Sequence, residues 1–136
     1  MSDRAFVDTN VLAYQFDSRD PSKQAVAAAL LARRDLIFCV STQVLSEFYV
    51  TATRKIGVPA AGAAAALRQY RRLEVVVVDT DLVIDAVDLA IKNQISLWDA
   101  QIVCAATRGG CGLLYTEDLR NGQFFGDVEV VNPFAE

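Results

Sequence analysis

The sequence predicts a single-domain α/β protein with a parallel sheet between two layers of helices, formed by residues 1–136. This length suits one ordinary domain. Short apolar segments alternate along the chain with longer segments of helical pattern, which is the order found in parallel α/β folds. The short segments are apolar throughout and do not alternate with polar residues, as expected of strands that helices cover on both faces.

The first part of the chain predicts a strand, a helix and a strand in that order. Residues 5–7 are a short apolar segment that fits a buried strand. Asp20 supplies a capping carboxylate and Pro21 occupies the first helical position, so a helix is expected from there to about Arg34. Residues 36–40 are rich in β-branched and aromatic side chains, and they predict the second strand.

The middle of the chain predicts two helices followed by a strand. Ser41 is a good N-cap for a helix over residues 42–56, and Gly57 is a typical helix stop. The alanine-rich residues 60–73 predict the next helix, because alanine has the best helix propensity. Four consecutive valines at residues 75–78 are the clearest strand signal in the sequence.

The last part of the chain predicts two helices and two strands. Asp81 is the expected N-cap of a helix that continues to about Asn93. Residues 98–108 predict a second helix, which a pair of glycines ends. The apolar residues 113–115 and 128–131 then predict the final strands of the sheet.

The composition excludes several classes of protein. The chain has no histidine, which rules out histidine-dependent triads and metal sites built on imidazole. No apolar segment approaches the roughly 20 residues of a membrane span, and the N-terminal residues lack the apolar region of a signal peptide. We therefore expect a cytoplasmic protein that does not bind membranes. Its cysteines are expected to be reduced and buried: Cys39, Cys104 and Cys111.

The net charge of −4 conceals an uneven distribution. Residues 1–72 carry 10 basic and 6 acidic side chains, whereas residues 73–136 carry 3 basic and 11 acidic ones. A basic half leaves nucleic acid open as a partner. Each basic residue is individually more typical of a solvated helix surface. As a group, the densest of them are candidate contacts to nucleic-acid phosphates: Arg33, Arg34, Arg54, Lys55, Arg68, Arg71 and Arg72.

Two acidic residues follow predicted strands. Asp8 comes directly after the first strand, and Asp118 comes shortly after the strand at residues 113–115. The carboxyl ends of parallel strands are where α/β sheets place their ligand sites. Each acid also has an ordinary explanation, since Asp8 is suited to cap a helix and Asp118 is suited to a turn. Glu117 is adjacent to Asp118 and could serve in the same role.

Two further acids lie on predicted helices. Glu47 flanks the apolar stripe of the helix over residues 42–56, where a solvated carboxylate is the ordinary interpretation. Asp99 shares a helix face with Ile102 and Val103. A carboxylate on such a buried stripe costs on the order of several kcal/mol unless a helix cap or a cation compensates. Asp99 therefore favours a functional site.

Together the four acids predict a metal site made of oxygen ligands. Without histidine, carboxylates select hard divalent cations such as Mg²⁺ or Mn²⁺. Carboxylates that share a pocket raise each other's pKa values, and a bound cation relieves that repulsion. Such an arrangement hydrolyses phosphodiesters by orienting and activating a water molecule.

Four segments resemble the motifs of PIN-domain ribonucleases, specifically the VapC-type toxins of bacterial toxin–antitoxin pairs. Residues 6–12 are similar to the family's opening strand and acid, and residues 46–48 are similar to its helical glutamate. Residues 97–100 match its third acid, and residues 115–119 match its closing segment. Each motif is short, but their order and spacing extend over nearly the whole chain.

The resemblance implies a Rossmann-like parallel sheet and a Mg²⁺- or Mn²⁺-dependent endoribonuclease. Asp8 and Asp99 would be the principal metal ligands, and Glu47 and Asp118 would complete the site directly or through water. Glu117 stays open as the alternative to Asp118. In such a site an activated water attacks the RNA phosphate in line, with no covalent enzyme intermediate. Supporting polar roles are implied for four neighbours of the acids: Thr9, Asn10, Thr116 and Glu117.

The same resemblance implies three partners, namely an RNA substrate, a small antitoxin protein and a second copy of the chain. The alanine-rich residues 60–66 would allow helices to approach closely at such a contact, although core packing is their ordinary role. Two other functions stay open. One is a catalytically silent PIN-like domain that only binds RNA. The other is a receiver-like signalling domain that binds Mg²⁺, although Asp8 lacks the adjacent acid that a receiver would have.

Overall fold

Six strands form one sheet in the computed structural model, which describes residues 3–135. In chain order they are β1 (Arg4–Val7), β2 (Ile37–Ser41), β3 (Glu74–Val76), β4 (Leu113–Tyr115), β5 (Phe124–Phe125) and β6 (Val128–Val131). Their order across the sheet is β3-β2-β1-β4-β6-β5, and all adjacent pairs are parallel except β5 with β6. The predicted α/β fold with a mostly parallel sheet is therefore confirmed. The ends of the predicted domain, Met1, Ser2 and Glu136, lie outside the described residues.

Helices connect these strands in the described part of the chain. They are α1 (Thr9–Tyr14), α2 (Pro21–Leu31), α3 (Thr42–Val50), α4 (Ala60–Tyr70), α5 (Thr80–Asn93) and α6 (Leu97–Arg108). A π-helical segment, Thr51–Ile56, continues α3. The helix predicted over residues 42–56 is therefore continuous, but its second half is wound more widely than an α-helix. Within the residues described, no helix is both long and apolar enough to cross a membrane.

The strands adjacent to β1 distinguish this fold from a receiver domain. β1 lies between β2 and β4. Receiver-like sheets have the strand order 2-1-3-4-5, in which the third strand lies beside the first. The receiver-like alternative is therefore wrong.

Several local predictions differ from the structure. The helix predicted to be capped by Asp81 begins two residues earlier, because Asp79 accepts the capping hydrogen bond from the N–H of Leu82 at 2.9 Å. The strand predicted at residues 75–78 is the shorter β3, an edge strand whose pairing with β2 ends at Val76. Neither α1 nor β5 was predicted, since six and two residues are too few to establish a periodic pattern.

The hydrophobic core lies against both faces of the sheet. Ala5, Phe6 and Val7 of β1 are fully buried, and Phe48 of α3 and Leu82 of α5 belong to the same core. Burial of β1 on both faces is what its uninterrupted apolar sequence predicts. The cysteines are free thiols, as predicted. Cys39 and Cys111 are buried as expected, whereas Cys104 is only half-buried.

The carboxyl ends of β1 and β4 lie side by side, and this positions the acids. Val7 is paired with Tyr115, and the N–H of Asp8 donates to the carbonyl of Tyr115 at 3.0 Å. Asp8 and Thr116, which follow these strand ends, therefore meet at the same edge. Ser41 ends β2, and its hydroxyl accepts a hydrogen bond that caps α3. The N-terminus of α3 consequently lies at this edge as well.

Candidate active site

Asp8 is a buried carboxylate at the junction of β1 and α1. It is 5% exposed, and its Oδ1 accepts a hydrogen bond from the N–H of Thr9 at 2.7 Å. The hydroxyl of Thr116 donates to Oδ2 at 2.8 Å. Asp8 is therefore the N-cap of α1, and the acids Asp118 and Glu47 lie close enough to affect its charge.

The pKa of Asp8 is raised from its ordinary value to about 7. Burial is the largest cause, because a charged carboxylate loses its hydration there. The hydrogen bonds from Thr116 and Thr9 oppose this effect, whereas the nearby charges of Asp118 and Glu47 add to it. A carboxylate perturbed by burial and by other acids is typical of a functional site.

Glu47 extends from α3 toward the same edge of the sheet and is held by polar side chains. The hydroxyl of Thr9 donates to its Oε1 at 3.1 Å, and the amide of Gln43 donates to its Oε2 at 3.4 Å. Gln101 of α6 in turn donates to the Oε1 of Gln43 at 2.8 Å. Sequence reasoning missed both glutamines, although Gln101 is a buried polar residue on an otherwise apolar helix face.

Asp99 lies in the first turn of α6 and is half-buried. Its backbone N–H donates to the hydroxyl of Ser96, the N-cap of the helix, at 3.0 Å. Burial raises the pKa of Asp99, and the charges of Asp118 and Glu47 raise it further. A hydrogen bond from the Ser96 side chain to the Asp99 carboxylate, distinct from the backbone bond, lowers it. The side chain is therefore close enough to two other acids to feel their charge.

Asp118 is bound to the site by Asn10 and Thr116. The amide of Asn10 donates to Oδ2 of Asp118 at 3.0 Å, and the N–H of Asp118 donates to the hydroxyl of Thr116 at 3.1 Å. The other polar atom of the Asn10 side chain, Oδ1, is buried and has no hydrogen-bond partner among the described residues. An orphaned acceptor beside carboxylates is a potential ligand for a cation or its water shell.

Glu117 has a different environment, although it is the neighbour of Asp118. Lys23 forms an ion pair with its Oε2 at 2.8 Å, and the hydroxyl of Tyr14 donates to its Oε1 at 2.6 Å. The charge of Glu117 is thus neutralised within the protein. This geometry favours Asp118 as the carboxylate that is available to a cation.

The four predicted acids line one cleft of about 680 Å³ at the carboxyl edge of the sheet. Thr116 is fully buried and reaches the cleft through its hydrogen bond to Asp8. A larger cavity of about 1120 Å³, formed by α5, α6 and the β5–β6 hairpin, contains none of the four acids. The positions of the acids therefore make the smaller cleft the candidate active site. The residues that sequence analysis assigned to the site and that line it are Asp8, Thr9, Asn10, Glu47, Asp99, Glu117 and Asp118.

These acids provide the donor chemistry that Mg²⁺ and Mn²⁺ prefer. Among residues 3–135, none of the four pairs with an arginine or lysine, and Lys55 is the one cationic side chain that lines the cleft. In the same part of the chain, no three acidic or thiol side chains are already arranged to hold a metal ion. Mutual repulsion separates carboxylates in the absence of a cation. All the candidate donors are oxygen atoms, so the residues fit a hard divalent ion.

The structure separates the predicted basic residues into two regions. Lys55 lines the acidic cleft, and Arg54 is its exposed neighbour on the π-helical segment. The others precede β2 or β3 or lie in the last turn of α4, and so belong to the amino edge of the sheet: Arg33, Arg34, Arg68, Arg71 and Arg72. Arg33 also pairs with Asp35 at 2.7 Å. Only the first region adjoins the acids.

Fold and site together define a class of protein, namely a single-domain α/β protein with an acidic cleft at the carboxyl edge of its sheet. The profile of the PIN domain matches residues 5–125. The chain therefore belongs to the PIN domain family, as the sequence motifs indicated. No significant match was found among curated proteins.

Solved structures similar to this chain are toxins of toxin–antitoxin systems. The VapC20 toxin of Mycobacterium tuberculosis, described as cleaving the sarcin-ricin loop, is 27% identical, with a TM-score of 0.70 over 84% of this chain and 91% of that one. A toxin–antitoxin complex from Klebsiella pneumoniae is 22% identical, with a TM-score of 0.68 over 95% and 97%. VapBC2 of Rickettsia felis, bound to a fragment of its promoter DNA, is 17% identical, with a TM-score of 0.62 over 93% and 96%. The last two establish a shared fold.

Proposed function

We propose that this chain is a Mg²⁺- or Mn²⁺-dependent endoribonuclease and the toxin of a VapBC-type pair. The observation that carries the proposal is the convergence of four carboxylates on one cleft, none of which forms an ion pair with a lysine or arginine among the described residues. Membership of the PIN domain family and the similarity to VapC20, a toxin that cleaves the sarcin-ricin loop, support an RNA substrate.

In this proposal Asp8 and Asp99 are the principal ligands, and Glu47 and Asp118 complete the set. A divalent ion held by these four residues would supply the positive charge that acidifies a water molecule and stabilises the departing oxygen. The hydroxyl of Thr116 and the N–H of Thr9 fix the orientation of the Asp8 carboxylate. No thiol or hydroxyl nucleophile is needed, because water attacks the phosphate directly.

Hydrogen bonds from the protein orient the other two acids. Thr9 and Gln43 hold the two carboxylate oxygens of Glu47. Asn10 donates to Oδ2 of Asp118, a residue that lines the cleft. Side chains that are held in this way lose little conformational entropy when they bind an ion and a phosphate. Ion binding would then have to draw together carboxylates whose orientation is already partly fixed.

Two exposed apolar faces support the proposed protein partners, a second copy of the chain and a small antitoxin. Most of the alanine-rich start of α4 is exposed, and only Ala63 within α4 is buried. α5 carries an exposed stripe formed by Ile84, Val87 and Ile91. Apolar faces of this kind are typical of protein contacts. An antitoxin arginine placed among the acids would compete with the metal ion for the carboxylates. We also propose that the protein acts in the cytoplasm.

Cleavage of total RNA tests the nuclease. We expect wild-type protein to cut RNA with Mg²⁺ or Mn²⁺ and to lose this activity in EDTA. The Asp8→Asn variant should lose at least about a hundredfold in rate, since it removes an ion ligand and its charge. Asp127→Asn is the matched control, because Asp127 is an exposed acid that does not line the cleft. Cutting that persists in EDTA or in Asp8→Asn would exclude the metal mechanism.

The toxin assignment has a separate test. Induced expression should arrest bacterial growth, and expression of Asp8→Asn should not. RNA binding without cleavage under all ionic conditions would instead support the catalytically silent PIN-like domain. Cleavage without growth arrest would retain the nuclease and reject the toxin.

A further inference from the structure

Trp98 is a large aromatic side chain that remains exposed at the rim of the acidic cleft. It is 62% exposed, lines the cleft and directly precedes Asp99. Tryptophan is highly buried on average in folded proteins, whereas here most of the surface of a large apolar side chain is open to solvent. The ring is therefore available to a ligand of the cleft.

The backbone beneath this ring is held firmly. Ser96 caps α6 immediately before it, and the amide of Gln43 donates to the carbonyl of Trp98 at 3.2 Å. Gln43 also contacts Glu47 and accepts a hydrogen bond from Gln101. The position of Trp98 is thus coupled to the same network that orients a candidate metal ligand.

The surroundings of the cleft offer complementary chemistry for a nucleotide. The acids form a polar region suited to a cation and a phosphate. Trp98 and the half-exposed Val50 add apolar surface to the walls, and Lys55 adds a single positive charge. A base needs a flat apolar surface, and a neighbouring phosphate needs a cation.

We propose that Trp98 is the platform on which an unpaired base of the substrate stacks beside the scissile phosphate. This inference rests on the proposed nuclease function and adds to it the residue that selects the substrate. An aromatic ring can stack on the face of a base only when that base is splayed out of a helix. Trp98 therefore makes the cleft selective for single-stranded segments of RNA.

The fluorescence of Trp98 gives a direct test that does not depend on cleavage. Trp98 is the only tryptophan in the chain, so its emission reports this position alone. In the Asp8→Asn background with Mg²⁺, a short single-stranded RNA of mixed sequence should quench the emission saturably. The same RNA annealed to its complement, or an abasic strand of equal length, should quench it weakly or not at all.

Variants separate stacking from a structural role. Trp98→Ala should weaken binding of the single-stranded RNA roughly tenfold, in line with the loss of one stacked base, while Trp98→Phe should recover most of the affinity. In the otherwise wild-type chain, Trp98→Ala should raise KM more than it lowers kcat. Phe124→Ala is the matched control, because Phe124 is also 62% exposed but lies at the other cavity. Its RNA affinity should match that of its parent.

Three outcomes would overturn the proposal. The first is unchanged emission at saturating RNA, and the second is equal affinity of Trp98→Ala and its parent. The third is emission that changes with protein concentration and not with RNA, which would assign Trp98 to a protein contact. Quenching by single-stranded RNA without any cleavage by the wild type would reject the nuclease and retain the stacking site. Cleavage by the wild type without quenching would reject the stacking site and retain the nuclease.

Discussion

At the scale of single residues, the environment of Asp8 disfavours its charged form. It is buried, yet it lies beside Asp118 and Glu47, and these neighbours add to the effect of burial on its pKa. Burial of an ionised carboxylate destabilises the folded state unless a cation compensates. We infer that Asp8 lowers the stability of the ion-free folded state and is present because it binds an ion. Such a loss of stability is common in active sites.

The first prediction concerns the stability of Asp8→Asn without divalent ions. The pKa of Asp8 is about 7 in the folded state, above its ordinary value of 3.8. Protonation therefore favours folding, and the wild type loses stability as pH rises from about 4 to about 7. Asparagine does not ionise, so the variant should become increasingly more stable than the wild type over this range. The difference should reach a few kcal/mol above pH 7, since one pKa unit corresponds to about 1.4 kcal/mol.

Urea denaturation in EDTA at a series of pH values measures this difference. The Asp127→Asn variant, altered at an exposed acid, should follow the wild type at every pH. A difference between Asp8→Asn and wild type that stays constant from pH 4 to pH 8 would show that folding does not raise the pKa of Asp8.

The second prediction distinguishes the adjacent acids Glu117 and Asp118. Asp118→Asn should lower metal-dependent cleavage by at least about tenfold, since it weakens a charged ligand beside the phosphate. Glu117→Gln should lower cleavage less, because Lys23 and Tyr14 already engage Glu117. Its main effect should be a loss of stability of up to about 1 kcal/mol, which is typical of a partly exposed ion pair.

Cleavage rates and urea midpoints of the two variants, measured side by side, decide between these roles. If Glu117→Gln were the more damaging change for cleavage while remaining as stable as Asp118→Asn, the ligand would be Glu117.

At the scale of elements, the π-helical extension of α3 shapes one wall of the cleft. The segment Thr51–Ile56 contributes Thr51 and Lys55 to the cleft. It ends at Gly57, whose φ of +88° lies in the left-handed region. π-helical turns are often found at functional sites, where they change the direction of side chains. The ending of this segment is therefore important for the position of Lys55.

The third prediction tests the backbone at that ending. Gly57→Ala should lower stability by about 1–2 kcal/mol, because a side chain disfavours the left-handed conformation. The added methyl group would meet no other atom within 4 Å, so the loss comes from the backbone itself. Gly62→Ala is the matched substitution in the first turn of α4. It should stabilise the protein by up to about 1 kcal/mol, since alanine favours a helix more than glycine does.

Urea midpoints of the two alanine variants measure the contrast. Equal stability of Gly57→Ala and wild type would mean that the chain after the π-helical segment can relax out of the left-handed conformation.

At the scale of the whole molecule, ion binding should be coupled to folding. The candidate ligands come from the end of β1, from α3, from α6 and from the loop after β4. An ion held between them binds the folded state and has no equivalent site in the unfolded chain. Binding at one location should therefore stabilise the entire domain.

The fourth prediction is that Mg²⁺ or Mn²⁺ raises the melting temperature relative to EDTA. At an ion concentration about 100-fold above Kd, the added stability is about 2.7 kcal/mol, which corresponds to several degrees. Asp99→Asn should remove most of this increase, whereas Asp127→Asn should retain it. An equal increase in all three proteins would indicate nonspecific binding of ions to an acidic surface.

The fold was largely predictable because the sequence patterns that indicate its strands and helices are local. The uninterrupted apolar sequence of β1 predicts a strand that is covered on both faces, and Asp20 with Pro21 predicts the start of α2. Predictions were wrong where local signals compete or are weak. Asp79 and Asp81 are both good caps, and only packing of α5 decides between them. The valines at residues 75–78 favour a strand, but an edge position with one partner shortens it.

The sequence by itself determined the α/β class, the family motifs and the absence of histidine, since these depend on residue identity and local order. Tertiary structure decided which acids share a cleft, that Lys23 engages Glu117, and that most of the predicted arginines lie at the amino edge of the sheet. These facts depend on contacts between distant parts of the chain, as between Asp8 and Thr116, which are 108 positions apart. The burial and charge of side chains at such contacts follow from three-dimensional packing, so no local sequence pattern predicts them.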